Sequence, residues 1–174
     1  MLSIAIDIRY IENRGVAWLH IAPGLAYVTI APLQFSSAFR RRYPTGHRWI
    51  GRFLIVCGLV SGVFAFAAAW VLPAFGGFLT ESATYVFGGL FVASLGIGFR
   101  AIRKRDVASH QAWMTRAFAI GLGVATIRVY IGLATGLFRY PFEPSFGFCF
   151  WLGLITNVTF AEWIIRRRLA NPRH

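Results

Sequence analysis

Residues 48–72 read RWIGRFLIVCGLVSGVFAFAAAWVL, a run whose only charges, Arg48 and Arg52, lie at its start. Roughly 20 residues of helix, rising about 1.5 Å each, cross the about 30 Å hydrocarbon layer of a bilayer. Inside that layer each backbone N–H and C=O needs a protein partner, so a spanning segment is a helix or a strand of a closed barrel. The run shows no alternation of period two and is long enough for a helix, which decides for the helix.

Comparable runs cover 17–39, 82–99, 112–137 and 145–165. They are separated by Arg40-Arg41-Arg42-Tyr43-Pro44-Thr45-Gly46, Pro73-Ala74-Phe75-Gly76-Gly77, Arg103-Lys104-Arg105-Asp106 and Arg139-Tyr140-Pro141-Phe142-Glu143-Pro144. The sequence therefore predicts an all-α integral membrane bundle of five transmembrane helices. Residues 1–16 precede it as an extramembrane segment, 17–166 hold the five-helix domain, and 167–174 form a basic tail. In 2–14, Ile4, Ile8 and Ile11 recur at helical spacing among Asp7, Arg9, Glu12 and Arg14. That pattern suits a short interfacial helix or an unstructured tail.

Composition excludes other classes. The 174 residues are 57% hydrophobic and 14% charged, yet carry a net charge of +12. The mean hydropathy is +0.59. A disordered basic tail needs low hydrophobicity, and a soluble nucleic-acid binder would not be this apolar, so no nucleic-acid partner is expected. Cys57 and Cys149 lie in apolar runs without CxxC or CxxH context, and read as small buried hydrophobes. Asp7 and Arg9 interrupt any apolar core of a secretory signal peptide.

The positive charges predict orientation. Arg40, Arg41, Arg42, Arg48 and Arg52, then Arg100, Arg103, Lys104, Arg105 and Arg116, then Arg166, Arg167, Arg168 and Arg173 fall on one side of five helices. Only Arg9, Arg14 and Arg139 fall on the other. The N-terminus is expected outside and the C-terminus in the cytoplasm. Trp18, Trp70 and Trp151 lie near expected outer helix ends, and Trp49, Trp113 and Trp163 near inner ends, as paired aromatic belts would require.

A short internal repeat carries the candidate chemistry. His47-Arg48-Trp49-Ile50-Gly51-Arg52 opens the second span and His110-Gln111-Ala112-Trp113-Met114-Thr115-Arg116 the fourth. Each puts Trp and Arg three apart, on one helix face. Thr45 and Ser109 are the expected N-caps. Neutral imidazoles at helix N-termini are suited to metal ligation. Two of them on facing helices can hold haem b, with Arg48, Arg52 and Arg116 available to its propionates. The ordinary alternative is a pair of interfacial histidines bonded to headgroups or loop carbonyls. Both lie at the membrane boundary, whereas bis-histidine cytochromes usually carry their ligands within the spans. His20 stands near the outer end of the first span, where Pro23 and Pro32 can bend the helix and expose carbonyls. Either a quinone headgroup contact or a satisfied interface histidine fits there.

Arg128 is the costliest residue to insert, about 2.5–3.5 kcal/mol at a helix centre. It is expected near mid-membrane, as a packing anchor, a site for an anionic or carbonyl ligand, or a side chain snorkelling outward. Gln34, Asn157 and Glu162 are its candidate partners, although Glu162 stands some 15 Å away in depth by helical rise. Glycines in the spans read as packing devices, with Gly132 and Gly136 forming a small-xxx-small pair. No paired carboxylates, HExxH, Ser–His–Asp grouping or phosphate loop occurs, so no catalytic motif supports an enzyme.

Two ordered blocks carry a family resemblance. One is Pro32-Leu33-Gln34-Phe35, the basic loop and His47-Arg48-Trp49-Ile50-Gly51-Arg52; the other is His110, Trp113-Met114, Arg116 and Arg128. Over roughly residues 17–138 the chain resembles an uncharacterised bacterial family of polytopic membrane proteins. It departs at Gln111, where the resemblance expects an arginine. The resemblance implies a multi-pass protein of a bacterial inner membrane and brings no activity. Three roles are weighed. First comes a haem- or quinone-associated redox component using His47, His110 and Arg128. Second is a non-catalytic accessory subunit whose arginine-rich face binds anionic lipid or an acidic protein partner. A small transporter is third.

Overall fold

The structure, a computed structural model, describes residues 11–72 and 76–170. Among the described residues there is no strand, and five helices are long and apolar enough to cross a membrane. The interfacial helix expected over 2–14 lies almost wholly outside the described residues, as does the end of the basic tail. The chain divides into two compact units, Met1–Pro73 and Ala74–His174.

The first unit contains α1 (Arg14–Phe35), the short α2 (Ser37–Arg42) and α3 (Pro44–Val71). The first span was expected to run on through residue 39, but it breaks at Ser36. There the backbone is extended (φ −70°, ψ 116°). The Ser36 hydroxyl accepts the Phe39 N–H at 3.2 Å and so caps α2. Arg40 Nη1 donates to the Gln34 carbonyl at 2.9 Å, satisfying an acceptor that the break leaves over. Pro44 then stands in the first turn of α3, where its missing N–H costs nothing. Tyr43, the residue before it, is held out of the helical region. Thr45 therefore lies inside the helix and is not its N-cap. α1 and α3 pack antiparallel, with Gln34 beside Gly51 and His20 beside Ser61. A Cβ on Gly24 would stand 2.7 Å from Ser61 Oγ, so glycine permits this approach.

The second unit contains α4 (Phe78–Arg103), α5 (Val107–Gly132), a π-helical turn (Leu133–Leu137) and α6 (Phe142–Ala170). α4 and α5 are joined by a tight turn. The N–H of Asp106 reaches the Ala101 carbonyl and that of Arg105 the Ile102 carbonyl, both at 3.0 Å. This is the pattern of a Schellman C-cap, with Arg105 taking the left-handed position (φ 63°) usually held by glycine. Asp106 caps α5 by accepting the Ser109 N–H at 3.0 Å. Ser109 thus lies inside the first turn and is not the N-cap. Contact of α6 with α5 is close because Gly153 is a glycine: a Cβ there would stand 2.7 Å from Ile127 Cγ1.

Lipid chains are as apolar as leucine, so these helices associate by close packing and internal hydrogen bonds. Their outward faces stay apolar: Trp70 is 84% and Phe78 80% exposed. Cys57 and Cys149 are buried free thiols. No group lies within 4 Å of a Cβ built on Gly132 or Gly136, so this small-residue pair makes no close helix contact among the described residues.

Candidate functional site

Histidines that bond across helix pairs are the structure's main chemical feature. His20 is the sixth residue after the start of α1, about 9 Å along the helix at 1.5 Å per residue. Its Nδ1 is 2.9 Å from the Ser61 carbonyl, while the Ser61 hydroxyl donates to the His20 carbonyl at 2.8 Å. The reciprocal pair locks α1 to α3 within the spanning segment. In the second unit, His110 Nδ1 lies 2.9 Å from the Gly98 carbonyl on α4. Gly98 lets α5 come this close, because a Cβ there would stand 3.2 Å from Trp113 Cβ, which is fixed to the α5 backbone.

Both acceptors are carbonyl oxygens, which cannot donate, so each Nδ1 carries the proton. In the neutral ring Nε2 is then a lone-pair atom. Among the described residues no hydrogen bond reaches Nε2 of His20 or His110. Histidines that ligate metals are typically held this way, by a backbone acceptor on the other nitrogen. His47 occupies the first turn of α3, with its Nδ1 buried.

The two repeat blocks agree in one respect and diverge in another. Arg52 stacks over the Trp49 ring at 5.1 Å and Arg116 over Trp113 at 4.5 Å, as their spacing predicts. Trp163 and Arg167 make a third such pair at 4.0 Å. But Arg116 is also neutralised. Its Nε donates to Glu162 Oε1 at 2.5 Å and its Nη2 to Oε2 at 3.0 Å. Arg52 and Arg48 are exposed and have no such partner among the described residues.

Arg128 makes none of the contacts expected of an interior anchor. It is exposed, and its Nη1 donates to the carbonyl of Val124 on its own helix at 3.2 Å. Its three candidate partners are placed elsewhere. Glu162 holds Arg116, and Asn157 accepts from Thr126 at 3.0 Å and donates to the Ala119 carbonyl at 3.1 Å. Gln34 lies in the first unit, its carboxamide oxygen beside Gly51. Both polar atoms of that carboxamide are buried with no hydrogen-bond partner.

Sequence reasoning missed two pairings. Arg116 is nine residues from the start of α5 and Glu162 eight from the end of α6, which was signal enough to level them had those ends been known. Ser61 carries no motif that marks it as the partner of His20. Among the described residues no group of three or more His, Cys, Asp or Glu could hold a bare metal ion.

The family described as Predicted membrane protein (DUF2306) matches residues 17–165. That is longer than the 17–138 expected and takes in most of α6, with Glu162. No curated protein and no solved structure matches the chain.

Proposed function

We propose, for a chain that belongs to the DUF2306 family of predicted membrane proteins, a role as a haem- or quinone-associated redox component of the membrane. One observation carries this reading: the Nδ1–H of His110 is committed to a backbone carbonyl, leaving Nε2 as the ligand atom. That atom can ligate haem iron or accept a proton from a quinol hydroxyl. His20 is held in the same way within the first unit, and His47 is the further candidate ligand there. Arg48 and Arg52 have donors for propionates, and Arg128 has donors for an anionic or carbonyl group. Arg116 keeps only the donors that Glu162 does not use.

The test is the absorption spectrum and solvent-extractable quinone content of the detergent-purified protein from haem-replete cells. A Soret band, or a co-purifying quinone, that is lost in His110→Ala while the helical content is retained supports the role. A folded, colourless and quinone-free preparation overturns it.

A second reading has its own support. Between Asn13 and Thr80 there is no acidic residue, although this stretch carries Arg40, Arg41, Arg42, Arg48 and Arg52. An accessory subunit using this face toward the cytoplasm, to engage anionic lipid or an acidic protein, accounts for that imbalance. The positive-inside rule supports that orientation, and a bacterial inner membrane is the location this reading takes.

A further inference from the structure

The turn between α2 and α3 borders an open groove of about 530 Å³, lined by Phe39, Arg42, Tyr43, Pro44, Thr45, Gly46 and Ile50. It sits where an arginine-rich helix end leaves the apolar span. Phe39, Tyr43 and Ile50 make its walls apolar. Arg42 lies over the Tyr43 ring at 5.7 Å, at the groove's rim. Among the described residues the neighbouring arginines also lack a counter-charge: Arg40 donates to a carbonyl and Arg52 stacks on Trp49. Neither contact supplies a negative charge. At the start of α3, no side chain caps the helix, and no backbone acceptor among the described residues meets the N–H of Thr45 or Gly46.

We infer that this groove binds the phosphodiester headgroup of an anionic phospholipid. The phosphate meets Arg42 and the N–H groups of Thr45 and Gly46. The glycerol and first acyl carbons lie against Phe39, Tyr43 and Ile50. A free inorganic anion would leave the apolar walls in water, and a zwitterionic lipid would leave the arginines uncompensated. A lipid of net negative charge satisfies both, and basic residues near an anionic surface are attracted to it. This names the ligand and the place for the arginine-face reading, on which it rests, and is independent of the redox reading.

The experiment titrates short-chain phosphatidylglycerol, phosphatidylcholine and inorganic phosphate into the full-length protein in neutral detergent, reading the shift in melting temperature. Phosphatidylglycerol should raise it, and the other two should not. Arg42→Gln should weaken the half-saturating concentration about tenfold, as loss of a charge-assisted hydrogen bond does. Gly46→Leu should weaken it too by filling the groove; its Cβ fits, in ordinary contact with Tyr43 and Phe39. Arg103→Gln, on the α4 end of the other unit, should leave binding unchanged. Equal weakening by Arg103→Gln overturns the groove while leaving a diffuse arginine face standing. Equal stabilisation by phosphatidylcholine or by inorganic phosphate, or no response to phosphatidylglycerol, overturns the lipid site itself.

Discussion

Arg116 and Glu162 form a two-pronged ion pair joining α5 to α6, at 2.5 and 3.0 Å, with side chains 20% and 33% exposed. Inside a membrane segment a charge left alone is expensive. Glu162→Gln or Arg116→Met alone should therefore destabilise by more than the about 1 kcal/mol of an exposed pair, toward the about 3–5 kcal/mol of a buried one. The double variant Arg116→Met/Glu162→Met should recover most of that loss. Unfolding of the four proteins in mixed detergent forms the cycle. Additive losses would show that the pair is not coupled.

Gly24 and Ser61 should show epistasis. Gly24→Ala places a methyl 2.7 Å from Ser61 Oγ and should cost about 1–3 kcal/mol, as overpacking does. Ser61→Ala removes the atom in the way. It loses a bond to the His20 carbonyl typically worth about 0.6 kcal/mol in membrane proteins. Gly24→Ala should then be milder in the Ser61→Ala background than in the parent. Thermal unfolding of the same four-protein set decides it, and equal costs in both backgrounds would refute the contact.

Gln34 keeps two buried polar atoms without hydrogen bonds. An orphaned buried group costs about 1–3 kcal/mol. Replacement by methionine, of similar shape, should raise the melting temperature. A lower melting temperature for Gln34→Met would mean that the carboxamide has a partner in the membrane.

The α4–α5 turn makes two predictions. Arg105 holds a left-handed conformation that costs a non-glycine residue about 1–2 kcal/mol, so Arg105→Gly should stabilise the second unit. The Asp106 carboxyl is held below its ordinary value of 3.8 by the Ser109 N–H it accepts. Because its folded value is depressed, its contribution is present above the ordinary value and fades as pH falls below it. Asp106→Asn keeps the cap and should flatten that part of the pH profile of unfolding. An unchanged profile would exclude Asp106 as its source.

Helix number and the places where charge is allowed were legible in the sequence, because lipid penalises both unpaired backbone and unpaired charge. That Trp49 and Arg52, and Trp113 and Arg116, share a helix face was legible too, since three-residue spacing on a helix needs no knowledge of neighbours. Helix ends were less so. Asp106 caps α5 through a hydrogen bond to the backbone three residues ahead, where Ser109 is an equally good candidate, and Ser36 caps a short helix that hydropathy does not separate from the first span.

By itself the sequence determined five membrane-spanning helices, their order and the arginine-rich ends that bound them. Tertiary structure alone decided that Glu162 meets Arg116 and not Arg128, that His20 meets Ser61, and that His110 meets Gly98. The reason is geometric. Hydropathy reports depth along a helix, but these helices are apolar on nearly every face, so their sequences carry little information about rotation. Which side chains meet is settled only when glycines such as Gly24, Gly98 and Gly153 bring particular faces together.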